Sequence, residues 1–223
     1  MARTLAGSHV VVVGATGVLG ARIAAHFAAA GARVSAVVRN HERLDGASVS
    51  QYALADVTDH TALKTAFASV APFDGVVNAT GVVAFGSVAD LDDVTLARLF
   101  AVNAIAPIEM LRDSSPHITD GGFFVNLSGV VATQPVAGMA AYSASKAAAW
   151  AAMTAAAREL RRRRIDVIDA RPPHTETGLA TRPLAGTAPK MPEGLMPDVV
   201  AARIVTAVVA GERDLPTEAF TSQ

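Results

Sequence analysis

The chain of 223 residues contains no cysteine. Disulfides, thiolate nucleophiles and cysteine metal sites are therefore excluded, and the composition fits a reducing compartment. Charge is also scarce: 17% of residues are charged and the formal net charge is −1. A near-neutral chain offers no electrostatic case for nucleic acid or an anionic membrane as main partner. No stretch reaches the roughly 18 or more uninterrupted apolar residues of a membrane span. The start "MARTLAGSHVVVVGATG" has too short an apolar run for a signal peptide, and no cleavage site follows it. A cytoplasmic protein is expected, with no metal, no nucleic acid and no membrane partner. Repeats, linkers and composition breaks are absent too, so one domain over 1–223 is expected.

What is present is apolar and ordered. Hydrophobic residues make up 51%, enough for a well-buried core. "HVVVVG" (9–14) is a β-branched run closed by glycine, the mark of a strand buried on both faces. In "GVLGARIAAHFAAAGA", Leu19, Ile23 and Phe27 fall at i, i+4 and i+8, with Gly31 placed as a C-cap. Further strands are expected at 32–39, 48–56, 73–81, 121–129 and 165–173. Helices are expected at 59–70, 92–115 (with Pro107 as a possible kink), 139–164 and 198–211. The glycine- and proline-rich stretch 178–197 reads as a flexible loop. Alternation of strand and helix predicts an α/β fold, one doubly wound parallel sheet with helices on both faces.

Gly14, Gly17 and Gly20 fall where the first strand becomes the first helix, with Thr16, Val18 and Leu19 filling the same turn. Glycines there let a pyrophosphate approach the backbone, and the helix N-terminus offers unpaired N–H groups. The second strand ends "AVVRNHER", with Arg39 and Arg43 present and Glu42 the first acid. An arginine at this point suits a ribose 2′-phosphate, an acid the 2′-hydroxyl. NADP(H) is favoured and NAD(H) possible. In "YSASK", Tyr142 and Lys146 share one helical face, so an ammonium can tune a phenol whose ordinary pKa is ~10. "RELRRRR" (158–164) is read as a solvated helix end, where arginines suit the dipole.

Taken in order, "GATGVLG", "ADV", "VVNATG", "FAVN", "NLSG" and "YSASK" resemble the short-chain dehydrogenase/reductase family over about residues 8–180. The resemblance implies a Rossmann sheet of about seven strands and hydride transfer between a nicotinamide cofactor and a small carbonyl or alcohol. It implies Tyr142 as acid/base and Lys146 as its tuning cation and ribose ligand, with Asn103 completing a proton relay. Asp56 and Val57 would border the adenine, Asn78, Ala79 and Gly81 would form the turn after the fourth strand, and Thr177 would bind the carboxamide. The stretch 178–197 takes the place of the family's substrate lid. Helices after strands four and five pair subunits in the family, which implies a homodimer or homotetramer; packing within one subunit explains their alanine content equally well.

The sequence departs from the family pattern at several places. Val18 replaces the middle glycine of the usual motif, Ala79 and Thr80 alter the turn after strand four, and Pro173 replaces a glycine. The catalytic serine belongs thirteen residues before the tyrosine, and that residue is Gly129. Three readings follow. In one, a bulge or a loop longer by one residue turns Ser128 into the site. In another, Thr133, Gln134, His174 or Thr175 substitutes for the serine. Or the hydroxyl is absent, which costs on the order of 10²–10³ in rate. The last makes room for an alternative, a dinucleotide-binding regulatory protein with little turnover. Val82, Phe85, Val131 and Met139 give the expected pocket apolar walls and no substrate identity.

Overall fold

The computed structural model describes residues 3–221. Six parallel strands, β1 (His9–Val13), β2 (Arg33–Val38), β3 (Gln51–Leu54), β4 (Phe73–Asn78), β5 (Ile118–Leu127) and β6 (Asp166–Ala170), lie in the order β3-β2-β1-β4-β5-β6. The β-branched run of β1 pairs with β2 and β4 on either side and is buried throughout. Its alternating side chains feed two cores. Val10 and Val12 join Ile23 and Phe27 of α1 (Val18–Ala29) with Val200 and Ile204 of α6 (Pro197–Ala210). Val11 and Val13 join Leu63 and Phe67 of α2 (His60–Val70) on the opposite face. A period of two in the strand thus cements helices to both sides of the sheet.

The order of strands reverses between β1 and β4, so the crevice for a ligand opens at the C-terminal ends of these strands. Glycine 14, the turn after β4 and the end of β5 all lie there. A seventh strand is reduced to one bridge, Leu215 beside Ala170, because Pro216 follows at once and cannot extend a ladder. The strand expected at 48–56 is confined to β3, four residues at the sheet edge with Tyr52 and Leu54 exposed.

The helix expected over 92–115 is built in three pieces. α3 (Asp93–Phe100) is capped by Asp92, whose carboxylate accepts from Thr95 N; a π-helical turn covers Ala101–Ile105, and α4 runs from Ala106 to Ser114. Pro107 has no N–H to give the carbonyl of Asn103, and Ala106 N reaches back to Ala101 O instead. By length and composition this 22-residue run could cross a membrane, yet half of its apolar window is buried in the fold. Leu99, Val102, Ala106 and Met110 are fully covered or nearly so. α5 (Ala140–Glu159) then crosses the same face and ends in a 3-10 turn, where Arg163 donates to Asp120 and to the carbonyl of Ser115.

Candidate active site

Three elements converge at the C-terminal edge of the sheet. From the π-turn, Asn103 is 1% exposed; its amide nitrogen donates to Val82 O at 2.8 Å and its oxygen accepts from Val82 N at 3.0 Å. The same nitrogen reaches Ser145 Oγ at 3.1 Å, and Ser145 donates to the carbonyl of Tyr142 at 2.7 Å. Ser145 therefore ties the π-turn to the first turn of α5. Lys146 follows, buried, with Nζ donating to Leu127 O at the end of β5 at 2.8 Å. Gly81 marks the meeting point: a Cβ there would lie 3.3 Å from Lys146 Nζ and 3.5 Å from Asn103 Oδ1. Lys146, Asn103 and Gly81 thus meet at one point, and Tyr142 is tied to it through its backbone carbonyl and Ser145.

Burial governs the electrostatics. It pushes the Tyr142 phenol up to about 12, so the group is a proton-bearing phenol at neutral pH. Burial also lowers Lys146 to about 8, while the charge of Asp169 acts in the opposite direction. A phenol that keeps its proton suits a donor to a developing alkoxide.

The glycine turn fits a dinucleotide. A Cβ on Gly20 would stand 2.3 Å from Gly14 O, so only glycine lets α1 approach β1 this closely. Gly17 N donates to Gly14 O at 3.0 Å, and no side chain caps the N-terminus of α1. Its open N–H groups and dipole face the crevice, as a pyrophosphate requires. Arg39 is exposed just past β2; against burial, which pushes the Asp56 carboxyl up, the hydrogen bonds from Thr58 hold it below the usual range, with Arg98 and then Arg39 adding to that. Asp56 is held by Thr58 N and Oγ1 and faces Arg98 at 3.9 Å, and Val57 is buried beside it.

Several expected contacts are taken by the protein itself. Asn78 accepts from Thr80 N and Oγ1 and donates to Asn126 Oδ1 at 3.0 Å, so it shapes the turn through Ala79. Thr177 Oγ1 accepts from Leu179 N at 3.3 Å. His174 Nε2 lies 3.2 Å from Glu176 Oε1, which also accepts from Gly194 N. Thr133 and Gln134 are exposed. The stretch 178–197, read from sequence as a flexible loop, is fastened: Leu184 N donates to Val83 O, and Phe85 N to Ala185 O.

At the end of β5 the bulge exists. Ser128 N and Gly129 N both donate to Ala170 O, at 3.1 and 3.2 Å. It does not free Ser128, however. That hydroxyl is buried and donates to Asp169 Oδ1. Gly129 has φ +82, and the direction a side chain would take there meets only Pro172 O at 3.8 Å. Ser145, Asp169 and Arg171 escaped sequence reasoning. Ser145 lies inside the YSASK motif, so its place was legible; a lone Asp and Arg in a strand gave no comparable signal.

Comparison with known proteins accords with this geometry. The family model for short chain dehydrogenase matches residues 8–185. The 2,3-dihydro-2,3-dihydroxybenzoate dehydrogenase of Bacillus subtilis (strain 168) is 31% identical over 162 residues, 66% of this chain and 62% of that protein. The chain therefore spans less than two thirds of that relative's length. The cyclic-di-GMP-binding biofilm dispersal mediator protein of Escherichia coli (strain K12) is 28% identical over 185 residues, 80% of this chain and 78% of that protein. Among solved structures, a short chain dehydrogenase from Burkholderia cenocepacia J2315 in complex with NADP has a TM-score of 0.84 at 28% identity, over 96% of this chain and 98% of that one.

Proposed function

Because the chain belongs to the short-chain dehydrogenase/reductase family, we propose that it is an NADP(H)-preferring enzyme that interconverts a small carbonyl compound and its alcohol, with Tyr142 as acid/base. The observation that carries this reading is that Lys146 Nζ and Asn103 Oδ1 meet beside Gly81, while Ser145 ties Asn103 to the turn of α5 that carries Tyr142. When bound, the nicotinamide supplies or accepts the hydride. The chain does the rest. Tyr142 delivers a proton to the substrate oxygen, Lys146 holds ribose hydroxyls and favours the phenolate that remains, and Asn103 links the site to a route for reprotonation. Gly14, Gly17 and Gly20 admit the pyrophosphate to Thr16, Val18 and Leu19 at the helix start. Asp56, Val57 and Gly81 border the adenosine and ribose, and Thr177 the carboxamide.

Ser128, engaged with Asp169, does not polarise the carbonyl in this reading. Tyr142 is the side-chain donor to the oxygen, and the room left by Gly129 goes to the substrate. A regulatory protein that merely binds dinucleotide has no chemical need for the assembled Tyr142, Lys146 and Asn103. Binding of cyclic-di-GMP is stated of the E. coli relative and is not transferred here.

Arg39 supports the preference for NADP(H), as does the NADP held by the B. cenocepacia protein. Calorimetric titration tests it: Arg39→Glu should weaken NADPH about tenfold or more and leave NADH nearly unchanged. Equal loss for both cofactors would place Arg39 away from the 2′-phosphate. We further assign the protein to the cytoplasm and to a homodimer or homotetramer. Supporting the latter, Val94, Ile105 and Ile108 are exposed on α3 to α4, and Ala151 and Ala155 on α5.

A further inference from the structure

We propose that the site admits only compact carbonyl compounds, because the stretch 178–197 is closed over it, and that Gly186 is the residue that sets this limit. The inference rests on the reading of Tyr142 as acid/base toward a carbonyl and adds the substrate class.

Three loops meet at the rim of the site. The first, 82–86, starts at Val82, which Asn103 pins through both its N–H and its carbonyl. The second, 136–139, leads into α5 and ends three residues before Tyr142. The third is the stretch 178–197. Gly86 N donates to Gly138 O at 2.9 Å and so joins the first loop to the second. The first loop also accepts Leu184 N on Val83 O at 2.8 Å and gives Phe85 N to Ala185 O at 3.0 Å. Backbone hydrogen bonds thus run from the turn before Tyr142, through 83–86, to the covering stretch. Val83, Ala84 and Phe85 are buried at this crossing.

Glycine makes so close a crossing possible. Gly86, Gly138 and Gly186 have φ of +137, +77 and +73, conformations that other residues rarely adopt. At Gly186 space is lacking as well. A Cβ there would run into the carbonyl of Phe85, whereas one on Gly86 or Gly138 would meet nothing closer than 3.9 Å.

The far end of the stretch is held too. Leu195 N donates to His174 O at 2.8 Å, Glu176 N to Leu195 O at 2.9 Å, and Gly194 N to the Glu176 carboxylate at 2.7 Å. Fastened at 184–185 and again at 194–195, the cover rises over a long substituent only by giving up backbone hydrogen bonds. The expected walls Val82, Phe85, Val131 and Met139 are apolar. A carbonyl with short apolar substituents satisfies both conditions, and a long-chain one fails the first.

The test is NADPH oxidation by the full chain over straight-chain methyl ketones, from butanone to methyl nonyl ketone, with kcat/KM read for each. Wild type should favour the short members by at least about tenfold, a span that pocket fit alone can supply. Gly186→Ala pushes the cover off Phe85 and should remove most of that preference, chiefly through a lower KM for the long ketones. Amide hydrogen exchange of the cofactor-free protein is the second readout. Leu184 and Phe85 should be protected in wild type and exchange at least about tenfold faster in Gly186→Ala. Should that variant fail to fold, Gly194→Ala disturbs the other fastening, since its Cβ would lie 2.7 Å from His174 O, and should relax the length limit in the same direction. A kcat/KM that is level or rises with chain length in wild type overturns the inference. So does free exchange of the Leu184 and Phe85 amides, or an unchanged length preference in the folded variant. Failure of the catalytic reading is distinct: no ketone of any length is reduced, although both amides stay protected.

Discussion

Gly129 has a positive φ of 82°, so the position that should carry a serine is built on a backbone that disfavours any side chain. With ψ at 167° the backbone lies in a region almost reserved for glycine, where an L-residue costs about 1–3 kcal/mol, and a chain of this size loses roughly 2–4 °C in Tm per kcal/mol. Gly129→Ser should therefore melt earlier by a few degrees, measured calorimetrically, without a gain in turnover; unchanged stability and faster turnover would show that the turn accepts the hydroxyl. Position was legible in the sequence, since counting back from Tyr142 lands on Gly129. Direction was not. Whether Ser128 faces the site or Asp169 depends on a bulge and on a partner 41 residues away. At Lys146 the folded value of about 8 lies below the usual 10.5. The unfolded chain thus binds more protons between these values, and stability should rise with pH from about 8 to about 10. Across the same window the ammonium is lost, so turnover should fall above about pH 8 even as the urea midpoint of the ligand-free protein increases.

Elements were visible wherever periodicity is strong. β1, α1 and α6 follow from runs of Val, Ile and Ala at period two or near four, and their observed bounds differ from expectation by a few residues. Composition misled where tertiary contacts decide. β3 is four residues because the chain beyond Leu54 turns to hold Asp56, and the single helix over 92–115 hides a π-turn that Pro107 accommodates. That turn is what presents Asn103 to Ser145 and Val82. The glycine cradle is the element-scale test. Gly20→Ala would push a Cβ to 2.3 Å from Gly14 O, an overpacking that costs typically about 1–3 kcal/mol. α1 should move off β1 and NADPH binding weaken at least about tenfold by calorimetry, more than the loss in Tm alone suggests.

For the whole molecule, the doubly wound sheet was legible because strand and helix alternate along the chain and crossovers are right-handed. The fastening of the stretch 178–197 was not, because single backbone bonds leave no pattern in a sequence. Val94, Ile105 and Ile108 are exposed at intervals near three helical turns and one, and a charge set among them should disfavour a subunit contact. Ile108→Asp should shift the assembly toward monomer in light scattering while NADPH affinity stays within about twofold; a wild-type monomer would refute that contact. The central claim is that Tyr142 performs proton transfer in a nicotinamide-dependent carbonyl reduction. Its most direct test is NADPH oxidation over a panel of small carbonyl compounds by wild type and Tyr142→Phe, with NADPH affinity measured for both. Turnover by wild type, a loss of at least about 10²-fold in Tyr142→Phe and unchanged NADPH binding are predicted. Equal turnover by the two proteins, or NADPH binding without turnover of any carbonyl, would contradict the account.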